Sequence, residues 1–156
     1  MAAGVQNATD GAVESPAGVS GVIPFKATVT VPATSLETAG DDVLLFKFPP
    51  NSYFDCHSLL IYSTALDTST EALQVDVGIG DVDGAIDSVL INDTATTAFP
   101  AVAGVDFCDA TVTTKWLDSG GKYLIMSVVT GAATAAAGTV AVEGLFAPGL
   151  VPIVAE

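Results

Sequence analysis

The segment FKATVTVP, residues Phe25 to Pro32, alternates apolar and polar side chains with a period of two. Phe25, Ala27, Val29 and Val31 fall on one face, and Lys26, Thr28 and Thr30 on the other. A helix would scatter that apolar set around its circumference, whereas a half-buried strand gathers it on one side. Short apolar segments recur along the chain, separated by Gly, Pro, Asn and Asp at a spacing of roughly ten residues, the pattern of an all-β sandwich or barrel. VLLFKFP sets Leu44, Phe46 and Phe48 against Val43, Leu45 and Lys47, and a break at PPN leads into YFDCHSLLIYS. ALQVDVGIG places Leu73, Val75, Val77 and Ile79 opposite Gln74 and Asp76, and a weaker segment, AIDSVLIN, follows. VDFCDATVTTKWL reads as one strand with Val112 and Trp116 inward, followed by SGG as a hairpin-type turn. KYLIMSVVT and AGTVAVEGLFA complete the set. The former is apolar on both faces, so it lies at the centre of a sheet or under a subunit contact.

The expected fold is therefore all-β: a single antiparallel β-sandwich, jelly-roll-like, of about eight strands, with an immunoglobulin-like sandwich as the alternative. A length of 156 residues suits one domain. Residues 1–22 are rich in Ala, Gly, Ser and Val without periodicity and read as an extended N-terminal arm; residues 23–147 form the sandwich. Residues 148–156 read as a C-terminal tail, in which Pro148, Gly149 and Pro152 stop regular structure. The first residues lack a basic region followed by a continuous apolar run, so they do not read as a signal peptide. The apolar stretch Leu124 to Val142 is broken by Ser, Thr and Gly, which favours two strands over a membrane-spanning helix.

Charge narrows the partners. Eighteen acids stand against four lysines (Lys26, Lys47, Lys115, Lys122) and no arginine, for a formal net charge of −14. Nucleic-acid backbones and anionic membranes are held by Lys and Arg, so both are excluded as partners on electrostatic grounds. The high apolar content, 50% with a mean hydropathy of +0.58, favours burial against other proteins.

The inventory for catalysis is thin, and the expectation is no enzyme and no cofactor. The single histidine, His57, lies next to Cys56 in an apparent strand, where neighbours point to opposite faces and do not form a nucleophile pair. A zinc site built from His57, Cys56 and Cys108 would lack a fourth ligand unless an acid joined it. The two cysteines read as free thiols, with a disulfide left open. No GxSxG or phosphate-cradling GxxxxGK occurs, and GIGDVDG is only a loose echo of a dinucleotide loop.

The acidic stretch VDVGIGDVDGAIDSVLIND, with Asp76, Asp81, Asp83, Asp87 and Asp93, offers three readings. Asp81, Asp83 and Asp87 could supply part of the oxygen set that calcium requires. With Asp81 as the first position, however, the glycine and glutamate of an EF-hand loop are replaced by Ile86 and Asn92. A carboxylate pair for glycoside hydrolysis lacks an adjacent aromatic platform. Turn chemistry is the favoured reading: side-chain hydrogen bonds from the aspartates, a positive φ at Gly84, and Asp76 on the solvent face.

The segments VDVGIGDVDG (Val75 to Gly84), VTVPATSLETAGDDVLLFKFP, KYLIMSVV and AGTVAVEGLF together cover most of Lys26 to Phe146. They resemble the capsid decoration, or cement, proteins of tailed bacteriophages, small β-sandwiches of jelly-roll type encoded beside the capsid gene. The resemblance lies in strands and turns rather than in a catalytic signature. It implies a homotrimer on the outer surface of the virion, bound to the major capsid protein and tying neighbouring capsomers together. The arm then becomes the candidate partner-binding segment, through Ala2, Val5, Val13, Val19 and Val22. The alternative is a glycan- or receptor-binding sandwich using calcium at Asp81, Asp83 and Asp87 with Tyr53, Tyr62 or Trp116; a small β-sandwich hydrolase ranks below both.

Overall fold

A computed structural model describes residues 21–69, 72–92 and 103–149. Ten strands occur among them: β1 Ile23–Val31, β2 Asp42–Lys47, β3 Ser52–Asp55, β4 Leu60–Ser63, β5 Gln74–Gly80, β6 Ile86–Asn92, β7 Gly104–Phe107, β8 Trp116–Asp118, β9 Tyr123–Thr130 and β10 Gly138–Pro148. Every named pairing is antiparallel. One sheet has six strands, in which β10 is the spine. β1 runs along one side of it, from Ile23↔Phe146 to Val31↔Gly138, while β4 and β3 lie end to end along the other, followed by β7 and β8. The second sheet has the order β2-β9-β5-β6.

Ten strands replace the eight expected because two expected strands are each interrupted. YFDCHSLLIYS is cut into β3 and β4 by a 3-10 turn at Cys56–Ser58. The Asp55 carboxylate there accepts the His57 N–H at 3.1 Å, and the Ser58 hydroxyl donates to the Asp55 carbonyl at 2.6 Å. VDFCDATVTTKWL is cut into β7 and β8 by a loop tied to the other sheet: the Asp109 N–H donates to the Leu90 carbonyl, and the Asp109 carboxylate accepts the Asn92 N–H. When each interrupted pair counts as one position, both sheets have four positions, the jelly-roll arrangement.

The core is built from the alternating sets. Phe25, Ala27, Val29 and Val31 are buried, as are Leu73, Val75, Val77 and Ile79. Five phenylalanines, Phe25, Phe46, Phe48, Phe54 and Phe146, meet between the sheets, with Phe25 stacked on Phe46 at 4.1 Å. Gly144 admits this cluster, since a Cβ there would lie within 3.1 Å of the Phe54 and Phe25 rings. Such aromatic pairs add about 0.5–1.5 kcal/mol each beyond the area they bury. KYLIMSVVT proves to be central: β9 lies between β2 and β5, with Leu124, Met126 and Val128 in the core.

Several local expectations are corrected. In β2 the register passes from Leu44↔Ile125 to Phe46↔Leu124, so Leu45 is an extra, bulged residue. The bulge turns Val43, Leu45, Phe46 and Phe48 all toward the core and leaves Leu44 out of that cluster, overriding simple alternation. Trp116 is only half-buried and not part of the core; its neighbour Leu117 packs there together with Val112. SGG forms no hairpin, because it joins β8 of one sheet to β9 of the other, a corner fastened by the buried Ser52 and Ser119 hydroxyls at 2.9 Å. Pro148 ends β10 rather than starting a tail; it pairs with Ser52, at a strand end where a missing N–H is tolerated.

Candidate functional site

The acidic stretch folds as the β5–β6 hairpin with its turn. Asp76 lies on the strand face opposite Val75 and Val77, which are in the core. At the turn, the Gly84 N–H donates to the Asp81 carbonyl at 3.0 Å, the Ala85 N–H donates to the Asp83 carboxylate at 3.1 Å, and Gly84 has φ +93°. Gly84 also backs onto the Asp42 carboxylate of β2, leaving no room for a Cβ. Asp87 is bound by Lys122 at 2.8 Å. This contact comes first, and the fields of Asp87, Asp81 and Asp118 add to it, holding the Lys122 ammonium above its ordinary range. The cation paired with Asp87 is thus a lysine of the chain. Among the described residues no group of three or more His, Cys, Asp or Glu side chains converges as a metal site, and Asp81, Asp83 and Asp87 are not brought together as one. Asp93 lies outside the described residues.

Two other charge-bearing positions are internal fasteners. His57 lies in the 3-10 turn, not in a strand. It is exposed beside a buried Cys56, and its Nε2 lies 2.9 Å from the Val112 carbonyl. Burial, and then the nearby Cys108 and Asp55, push the Cys56 thiol up to about 12, so it is not a nucleophile at neutral pH. Both cysteines are free. Asp55, almost wholly buried, is paired with Lys115 at 3.0 Å, and Lys115 also lies over the Trp116 ring.

Asp67 escaped the sequence reading, and among the described residues it is the most elaborately held side chain. Its side chain accepts five backbone N–H groups, from Ser69, Ala72 and Leu73 on its own loop and from Ala133 and Thr134 on the loop between β9 and β10, at 2.9–3.4 Å. Burial alone would raise its carboxyl; the N–H donors outweigh that and hold it below the usual carboxylate range. The local signal was Asp-Thr-Ser, an Asx-turn pattern, but the donors 66 and 67 positions away leave no trace near it in sequence.

Two surface cavities are lined by described residues. One of about 430 Å³ is lined by Asn51, Tyr53, Asp118, Gly120 and Gly149, and one of about 370 Å³ by residues that include Cys56, Leu90, Val112 and Leu117. Neither brings a base to a nucleophile. Tyr53, Tyr62 and Trp116 are half-buried on strands of the six-stranded sheet, remote in sequence from the acidic turn. Of the arm residues singled out, Ala2, Val5, Val13 and Val19 lie outside the described residues, and Val22 is 46% exposed where the chain enters β1.

No family model matches the chain, and no curated protein matches it. Solved structures do. A chain in the structure of the capsid of Ralstonia phage GP4 aligns with a TM-score of 0.63 at 21% identity, covering 88% of this chain and 90% of that one. A chain in the capsid asymmetric unit of cyanophage Pam1 aligns with a TM-score of 0.53 at 18% identity, covering 88% and 91%. What is shared at these identities is the fold, over nearly the full length of both partners.

Proposed function

We propose that the chain is a structural virion protein that binds the outer surface of an icosahedral phage capsid and stabilises the shell by bridging capsomers. The observation that carries this reading is the fold match, over 88% of this chain, to chains from two phage capsids. Support comes from a net charge of −14, which disfavours a position against packaged DNA. Its partners in this reading are the major capsid protein and two further copies of itself, as a homotrimer. Binding to the assembled shell but not to dissociated subunits stabilises the shell by mass action, about 2.7 kcal/mol at a hundredfold excess over Kd. Linked copies strengthen the effect through effective concentration. The arm, residues Ala2 to Val22, ties neighbours together by adding a strand to a sheet edge.

Co-sedimentation on purified capsids tests the reading. The full chain is expected to saturate the shells and raise their disruption temperature, while a chain beginning at Gly21 stays folded but binds at lower occupancy. A full chain that never sediments with shells ends the proposal; full occupancy by the truncated chain ends the role of the arm.

A further inference from the structure

The two sheets turn chemically different faces to the solvent. On the six-stranded sheet, Phe107 and Val105 of β7 are 59% and 47% exposed. In register, Phe107 stands opposite Leu60 of β4, then Glu143 of β10 and Lys26 of β1, while Val105 stands opposite Tyr62. The charges in this row cancel: Lys26 lies 3.4 Å from Glu143, and the Tyr62 hydroxyl donates to the same carboxylate at 2.6 Å. The four-stranded sheet also exposes apolar side chains, Val89 and Val129 at 41% and 46%, but it sets the half-buried Asp42 and Asp76 in one register row and carries the Asp81–Asp83 turn at its end.

For a chain of net charge −14, these faces suit different partners. A basic protein is drawn to the acidic face. A like-charged copy is repelled there and can approach only where charge is neutralised and apolar contact is on offer. Interface cores are enriched in aromatic residues and depleted of unpaired charge, as this row is. We propose that a second copy of this chain packs on the outer face of the six-stranded sheet at Val105 and Phe107. This gives a location to the self-association in the capsid reading and rests on that reading only for the number of copies; it is measured without shells and fails separately from shell binding.

Sedimentation of the full chain alone, over micromolar to about 100 µM, is the test. The unaltered protein is expected to self-associate. The pair Val105→Thr with Phe107→Ser, both exposed and therefore tolerated by the fold, is expected to weaken association about tenfold or more. The matched pair Val89→Thr with Val129→Thr on the other sheet leaves association unchanged. Because two like-charged molecules meet at a neutral patch, added salt tightens the assembly, the reverse of a charge-complementary contact. A protein that stays monomeric throughout, association unaffected by the β7 pair, or association that weakens with salt each overturns the proposal.

Discussion

Asp67 and the aspartates of the Asp81–Asp87 turn are the same residue type in loops of the same sandwich, and they do opposite work. Asp67 is 3% exposed, and its carboxylate gathers five N–H donors from two loops. Asp81 and Asp83 are exposed; Asp83 accepts one N–H and Asp87 one lysine. An acid's weight in a fold follows from how much water it has lost and how many donors replace that water, not from how many acids stand beside it.

The largest effect that could break this contrast is Asp67→Ala. It leaves five N–H groups without their acceptor and is expected to cost about 3 kcal/mol or more in urea unfolding. A loss below about 0.5 kcal/mol, the range of ordinary surface substitutions, would reduce Asp67 to the level of the turn acids.

Acid titration sharpens the contrast next. Because the folded state holds the Asp67 carboxyl below its unfolded value of about 3.9, its contribution is fully present above that pH and is lost as pH falls through the folded value. Stability should therefore fall on acidification, and less steeply in Asp67→Asn. Asp76 has the opposite sign. Burial first, and then Asp109, raise its carboxyl, so its contribution is present below the unfolded value and lost as pH rises through the folded one. Asp76→Asn is expected to stabilise slightly at neutral pH, by thermal melts.

Gly84→Ala probes the turn itself. A positive φ and the Asp42 carboxylate behind it predict a loss of about 1 kcal/mol or somewhat more, measured by thermal melting, larger than removing any acid of the turn. Smallest of all, Asp81→Asn and Asp83→Asn should change stability by less than about 0.5 kcal/mol, and added calcium should leave the melting temperature unmoved. A calcium-dependent rise would restore the cation reading.

Most of the strand positions were legible because binary alternation is written within single segments of ten residues or fewer. β1 and β5 bury the sets their patterns indicate. The interruption after Asp55 was partly legible, since Asp and Ser two to three residues apart cap short turns, yet YFDCHSLLIYS reads as one continuous apolar strand. The bulge at Leu45 was not legible: Val43 to Phe46 is a continuous apolar run in which nothing marks an extra residue, and only pairing with β9 forces it. The acidic stretch was read as turn chemistry from Gly84 and its neighbours, and its lysine partner, 35 positions away from Asp87, was not.

Sequence alone therefore determined which segments become strands, which face of most of them is buried, and that the surface is acidic, because periodicity and charge are properties of short windows and of totals. Tertiary structure decided where strands are interrupted, which turns cross between sheets, and which aspartate holds the fold together. Those outcomes depend on donors, acceptors and backbone registers that lie dozens of residues apart and meet only after the two sheets have closed on their phenylalanine core.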